Sequence, residues 1–304
     1  MPSRSRHGFD LGSPRRPEDQ ASAASRAEVV ITRGLLRGWP LPDPQGDKES
    51  RGTVLVVGGS RYTPGAVLLA GEAAMRAGAG RLQLAVEAST AAALSIEVPE
   101  AKVIGLPDQS GDVPEELVAL AREADVIAIG PGLDDVDQTA RLMSRILDVA
   151  DKDAAVVLDA YALGALSNDA DLLAGRPQEV VLTPNVTEAQ RLLGAEPGDL
   201  ADAAMTLAER HRAVVSLYGH IAAPDGRRWR EESGDAGLGT SGSGDVRAGI
   251  VAGLLGRGAE PAQAACWAAF AHAVSGQRLS PRYGRTGFLA REIVDEVAYT
   301  IASV

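Results

Sequence analysis

Thr53-Val54-Leu55-Val56-Val57-Gly58-Gly59-Ser60 decides the fold. An unbroken aliphatic run reads as a strand buried on both faces, because a half-exposed strand would alternate apolar with polar residues. Two glycines end the run, and residues 64–77 follow with apolar side chains at helical spacing. The same strand–turn–helix unit repeats outward from it. Further strands are predicted at 82–86, 102–106, 125–129, 154–158, 180–182 and 213–217, with helical patterns at 114–122, 138–149 and 187–193. Ala223-Pro224-Asp225-Gly226 is a hairpin turn signal ahead of a short run at 227–230. Helical patterns at 245–256, 261–275 and 288–302 close the chain. Such alternation implies an α/β fold with a mostly parallel central sheet and helices on both faces. No repeat or composition break divides residues 29–304, which are expected to form a single domain. Residues 1–28 are rich in Ser, Arg, Pro and Ala and are expected to form a disordered tail.

With 41 acidic against 30 basic residues the net charge is −11. That balance excludes the clustered cationic surface a nucleic-acid partner needs. Hydrophobic residues make up 45% of the chain, enough for a sizeable core. No apolar stretch reaches the roughly 18 residues a membrane helix requires. Arg4, Arg6, Arg15 and Arg16 near the N-terminus lack the apolar run of a signal peptide. A soluble, cytoplasmic protein without a membrane partner is expected. The single Cys266 can form neither an intrachain disulfide nor a cysteine metal cluster, and its Ala-rich surroundings mark it as a buried thiol.

In parallel sheets, ligands gather at the C-terminal ends of the strands. The informative residues fall there: Gly58-Gly59-Ser60, Gly130-Pro131-Gly132, Asp159, Thr183-Pro184-Asn185 and Tyr218-Gly219. Any one of these is as readily a plain βα turn. Beside them, Gly239-Thr240-Ser241-Gly242-Ser243-Gly244-Asp245-Val246 runs into an apolar helix. Glycines let the backbone aim its N–H groups at one point, and the helix adds free amides and its positive dipole end. Gly242, Ser243 and Gly244 therefore read as a phosphate nest. Asp245 beside a held phosphate is placed to take a proton from an attacking hydroxyl. No Gly-Lys-Ser/Thr follows and no strand leads directly in, so neither common glycine fingerprint applies.

Gly58-Gly59-Ser60, Gly65-Ala66, Leu69-Ala70 and Ala73-Ala74-Met75-Arg76-Ala77-Gly78-Ala79-Gly80 resemble the opening signature of the ADP/ATP-dependent NAD(P)H-hydrate dehydratases. Ile129-Gly130-Pro131-Gly132-Leu133, Leu158-Asp159-Ala160, Thr183-Pro184 and Gly242-Ser243-Gly244-Asp245-Val246 match in order, with Asp47-Lys48 before them and Gly287-Phe288-Leu289-Ala290 after. The resemblance implies a three-layer ribokinase-like fold. It also implies repair of hydrated NADH or NADPH, in which the ring hydroxyl is phosphorylated and phosphate then departs. ADP or ATP would be the phosphoryl donor, with Mg²⁺ neutralising its phosphates. By resemblance Asp245 is catalytic, Ala66, Gly132 and Asp245 contact the hydrate, and Gly244 contacts the adenine nucleotide. Relatives commonly assemble as homo-tetramers, and the Ala-rich helix at 64–77 offers a flat packing face.

The departures from this pattern matter. Asn185-Val186-Thr187-Glu188 stands where the family usually reads His-Pro-Gly-Glu. Asn followed three residues later by Glu resembles hydroxymethylpyrimidine and pyridoxal kinases, whose Glu helps organise Mg²⁺. Asn185 is thus a substrate-binding candidate and Glu188 an indirect metal candidate, beside the plain reading of a helix cap and capping box. Tyr218-Gly219 replaces Lys-Gly, removing a charge that a neutral phenol cannot supply. Tyr218 is left to stack on adenine or donate one hydrogen bond, with Gly219 beside it in the nucleotide-binding set. Tyr161 replaces an aspartate, and Arg247 replaces a leucine and reads as a solvent-facing helix residue ahead of the alternative, a positive charge returned to the cleft. Besides the dehydratase, two readings stay open. One is an ATP-dependent small-molecule kinase that leaves a stable phosphorylated product; the other is a catalytically weakened nucleotide-binding relative.

Other constellations carry less. His7, His211, His220 and His272 are scattered without metal-ligand spacing. Asp134, Asp135 and Asp137 precede a helix and read as capping charges.

Overall fold

The computed structural model describes residues 28–43, 51–107 and 113–304. Apart from Glu28, the tail expected over 1–28 lies outside the described residues, as do Asp47 and Lys48. Ten strands form one sheet: β1 (Val29–Val30), β2 (Thr53–Val57), β3 (Arg81–Glu87), β4 (Ala101–Leu106), β5 (Val126–Ile129), β6 (Ala155–Leu158), β7 (Glu179–Leu182), β8 (Val214–Leu217), β9 (His220–Ala222) and β10 (Arg228–Arg230). Their spatial order is β1-β10-β9-β8-β7-β6-β5-β2-β3-β4. All neighbours pair in parallel except β9, which runs antiparallel to both β8 and β10. The chain winds from β2 outward to β4, then returns to the other side of β2 with β5. The strand order therefore reverses between β2 and β5, the kind of switch point at which open α/β sheets gather ligands.

The helices are α1 (Arg33–Gly38), α2 (Gly65–Ala77), α3 (Ala88–Glu97), α4 (Glu115–Glu123), α5 (Val136–Val149), α6 (Tyr161–Asn168), α7 (Val186–Leu193), α8 (Leu200–His211), α9 (Ser243–Gly256), α10 (Pro261–Tyr283) and α11 (Ala290–Ala302). Alternate strand residues point to opposite faces. Val54 and Val56 accordingly join a core with α2, α9, α10 and α11, while Leu55 and Val57 join a second core with α4 to α8. Helix, sheet and helix make three layers, as the ribokinase-like resemblance implies.

Four helices do not figure in the sequence reading: α1, α3, α6 and α8. The Ala-rich sequence of α3 marks no distinct apolar face, and only Leu94 is buried. α6 starts directly behind Asp159 on Ala160, a residue with φ 48° that no local propensity announces. α8 has a sequence signal, since Asp199 accepts from Ala201 N and Asp202 N and so caps it.

The Ala-rich helix is committed inside the chain. α2 lies against α9 so closely that a Cβ on Gly249 would overlap the Ala70 carbonyl, and one on Gly253 the Ala74 carbonyl. Ala70, Ala73, Ala74 and Ala77 are buried. These small residues let the backbones of α2 and α9 approach each other closely.

Candidate active site

At the switch point the loops after β2 and β5 are stitched together. Gly59 N donates to Pro131 O at 2.8 Å and Ser60 N to Gly132 O at 2.7 Å. Thr63 Oγ1 donates to the same Gly132 carbonyl at 2.8 Å. Ala66 follows in the first turn of α2, and a Cβ on Gly132 would lie 2.8 Å from the Ala66 Cβ. The two backbone positions expected to meet the hydrate are therefore neighbours. Gly59, Tyr62, Leu133 and Gln138 line an adjoining cavity of about 230 Å³.

α9 starts at Ser243 behind Gly242, whose φ of 86° suits glycine. A side chain at 242 would also lie 2.6 Å from Leu69 Cδ1 of α2. The nest is thus held against the helix that carries Ala66. At Gly244 the space where a Cβ would stand is open. Asp245 is the third residue of α9, and burial pushes its carboxyl up to about 7, with the charges of Asp159 and Glu188 adding to the rise. A group near 7 takes a proton at neutral pH and releases it again.

Asp159 directly follows β6 and is only 5% exposed. Thr183 Oγ1 donates to its Oδ1 at 2.8 Å. Burial raises its pKa, while the Arg247 charge, the Thr183 hydroxyl and the Ala160 N–H oppose the rise. The positive φ of Ala160 costs energy and persists because the surrounding structure imposes it.

Arg247 corrects an expectation. Rather than facing solvent, it turns inward: Nη2 donates to Thr183 O at 2.6 Å and lies 3.3 Å from Pro184 O. Its Nε is buried without a hydrogen-bond partner. The reason is that α9 is covered on nearly every side, with Val246 and Ala248 flanking Arg247 in the core.

Asn185 caps α7. Its Oδ1 accepts from Glu188 N at 2.9 Å, and Glu188 Oε2 accepts from Asn185 N at 2.8 Å. This is the capping box of the plain reading, and it places Glu188 where burial and Asp159 raise its pKa. Tyr218 and Gly219 sit one strand further along the same sheet edge. With φ of 47° and 90°, between the paired Leu217 and His220, they form the two-residue turn of the β8–β9 hairpin. The Tyr218 ring is 73% exposed.

One neighbour of the nest is not assigned a role by sequence. His272 reaches from α10 to place Nε2 2.8 Å from Ser243 Oγ. Burial, helped by the Arg247 charge, pushes this imidazole down to about 3, so it is neutral at ordinary pH. The only sequence signal was a polar residue in the Ala-rich stretch of α10.

Among the described residues no group of three or more His, Cys, Asp or Glu stands close enough to hold a metal ion. Asp159, Glu188 and Asp245 form a spread of negative charge, which suits a cation arriving with nucleotide phosphates better than one held by protein alone.

The chain is similar in sequence and fold to known proteins. The chain matches the carbohydrate-kinase family model described as NAD(P)H-hydrate dehydratase over residues 54–298. It is 46% identical over 279 residues to the ADP-dependent (S)-NAD(P)H-hydrate dehydratase of Xanthomonas campestris, covering 88% of this chain and 94% of that one. The same-named protein of Neisseria meningitidis is 36% identical, over 81% of this chain and 83% of that one. The chain spans about half the length of bifunctional NAD(P)H-hydrate repair enzymes such as that of Moorella thermoacetica (35% identity, 90% of this chain, 54% of that one). The ADP/ATP-dependent NAD(P)H-hydrate dehydratase of Bacillus subtilis, co-crystallised with ATP/Mg²⁺, superposes with a TM-score of 0.77 at 28% identity, covering 91% of this chain and 98% of that one.

Proposed function

The chain belongs to the NAD(P)H-hydrate dehydratase family, and from that membership we propose that it restores NADH or NADPH from their hydrates using ADP. The choice of ADP follows the names of the Xanthomonas and Neisseria relatives. The observation that carries the reading is the placement of Asp245. Its carboxyl is held near 7 at the start of a buried helix, beside an open glycine nest whose Gly242 is pressed against α2, the helix that carries Ala66.

Hydroxide is a poor leaving group, so the ring hydroxyl must first become a phosphate ester. Asp245 takes the hydroxyl proton as that oxygen attacks the terminal phosphorus of ADP, and AMP departs. Backbone amides around Gly242, Ser243 and Gly244 stabilise the charge spreading over the transferring group. The ring C–O bond then breaks with phosphate carrying away the electron pair. Loss of the neighbouring ring proton restores the double bond, so hydrate and ADP give reduced cofactor, AMP and phosphate. Mg²⁺, when bound, neutralises charge on the donor phosphates. Asn185, which caps α7, is assigned to the substrate and its capping partner Glu188 to the cation-bearing nucleotide, and the exposed Tyr218 beside Gly219 offers a stacking surface for adenine.

The same reading includes a cytoplasmic location, a homo-tetramer and one catalytic domain over 29–304. No helix among the described residues is long and apolar enough to cross a membrane. One sheet runs unbroken from β1 to β4 through all ten strands.

The test is incubation of the purified protein with hydrated NADH, Mg²⁺ and either ADP or ATP. Recovery of reduced-nicotinamide absorbance matched by phosphate release is expected, faster with ADP. Nucleotide binding without recovery from either donor would overturn the reading in favour of a small-molecule kinase or a weakened relative.

A further inference from the structure

The hydrate is a dinucleotide, and Ala66, Gly132 and Asp245 account only for its reacting ring. Its pyrophosphate and adenosine need a path along the sheet edge. ADP is assigned to the side of β8, where Tyr218 and Gly219 follow the strand, so the rest of the dinucleotide runs the other way, toward β3 and β4. The cavity of about 230 Å³ lies on that side. Leu106 of β4 and Leu133, next to Gly132, give it a buried apolar wall, and the exposed Tyr62 lines it as well. Its charged lining is Arg61, Glu87 and Asp134, none of which phosphoryl transfer uses.

Glu87 holds a telling place. β2, α2 and β3 make a βαβ unit in which β3 pairs in parallel with β2, and Glu87 is the last residue of β3. Its N–H donates to Gly59 O at 3.0 Å, tying the strand tip to the glycine turn. In dinucleotide-binding βαβ units an acid in the corresponding place accepts from ribose hydroxyls, whereas an arginine accommodates a 2′-phosphate. Glu87 Oε2 accepts from Ser89 N at 3.0 Å and from the Ser89 hydroxyl, which holds the carboxylate at the strand tip. Its Oε1 has no partner among the described residues.

Resting on the functional reading above, we propose that this cavity takes the adenosine end of the hydrate and that Glu87 and Asp134 make the chain select hydrated NADH over hydrated NADPH. Ribose hydroxyls donate to the carboxylates. A 2′-phosphate, carrying up to about two negative charges, meets them as a like charge instead. Arg61 lies on the loop between Gly59 and Ala66, between ring and cavity, and its guanidinium pairs with the pyrophosphate common to both hydrates.

The experiment is calorimetric titration of the full chain with hydrated NADH and, separately, hydrated NADPH, without ADP so that nothing turns over. Hydrated NADPH is expected to bind about tenfold or more weakly. Glu87→Gln keeps an oxygen for Ser89 and removes the charge. It should tighten hydrated NADPH by about tenfold and leave hydrated NADH within about twofold. Arg61→Gln should weaken both hydrates by the same factor, up to about fivefold. Thermal unfolding confirms that each variant is folded. Equal affinities in the wild type would overturn the proposal, as would an unchanged preference in Glu87→Gln. Loss of hydrated NADPH alone in Arg61→Gln would also overturn it, by making Arg61 the partner of the 2′-phosphate. Equal binding of both hydrates would leave the dehydratase reading standing, whereas binding of neither would remove that reading and the proposal together.

Discussion

Ser243 Oγ and His272 Nε2 lie 2.8 Å apart, tying the first turn of α9 to the middle of α10. The nest is therefore anchored by a neutral imidazole. In the folded state His272 is pushed down to about 3, whereas an unfolded histidine titrates near 6.5. Above about 6.5 neither state holds the proton; below it the unfolded state binds one first, and stability is lost as pH falls. The loss is about 1.4 kcal/mol per pH unit down to the folded value. Urea unfolding of wild type and His272→Gln checks this. The stability advantage of wild type should shrink by about 2 kcal/mol between pH 7 and pH 5. A constant difference would mean that the imidazole is not buried neutral.

Asp245 titrates in the opposite sense. Its folded carboxyl sits at about 7 against 3.8 for the unreacted side chain, so holding it ionised weakens the fold above pH 7. Protonation relieves that cost as pH falls through 7, and it is gone below about 4. Asp245→Asn should therefore stabilise the protein at pH 8 by about 2–4 kcal/mol, with no gain at pH 4. In the same variant turnover should fall by about a thousandfold or more while nucleotide binding survives. Wild-type kcat/KM should decline below pH 7. Wild-type turnover in Asp245→Asn would remove Asp245 from the role of base.

The sheet and most of the site edge could be read from the chain because β2 to β8 are short aliphatic runs ended by turn residues, and such local patterns survive folding. The nest could be read because Gly242, Gly244 and Asp245 are adjacent in sequence. Arg247 could not, since its direction depends on packing: α2, brought in by Ala70 and Ala74, closes over α9 from outside. His272 was hidden for the same reason, being 29 residues from the Ser243 that it holds. Asn185 and Glu188 carried two meanings at once, because a capping box and a carboxylate beside a cleft use the same letters.

Two glycines of α9 should respond in opposite ways. Gly249→Ala drives a methyl into the Ala70 carbonyl, where no flexible side chain can give way. It should destabilise by about 2–3 kcal/mol and lower kcat by shifting the start of α9. Gly244→Ala meets open space in the fold, so stability should hold or rise by a few tenths of a kcal/mol through helix propensity. The added methyl would stand in the space assigned to the nucleotide phosphates. Calorimetric titration with ADP should show binding weakened by about tenfold or more. Unaltered ADP affinity in Gly244→Ala would place the phosphates elsewhere.

Glu188 can be separated from its capping role by choosing which atom to keep. Its Oε2 accepts from Asn185 N, and a glutamine amide oxygen can do the same without charge. Asn185→Ala breaks the reciprocal bond to Glu188 N and should cost about 1 kcal/mol of stability. If capping were the whole role, Glu188→Gln would change neither stability nor Mg²⁺ dependence. The raised pKa of Glu188 shows that burial and Asp159 already oppose its charge, so Gln should even unfold slightly later at pH 8. The expected result is a stable Glu188→Gln protein that needs severalfold more Mg²⁺ to reach half-maximal turnover. Such an outcome assigns the carboxylate charge to the cation-bearing nucleotide and leaves the cap to the backbone. A Mg²⁺ requirement identical to wild type would confine Glu188 to the start of α7.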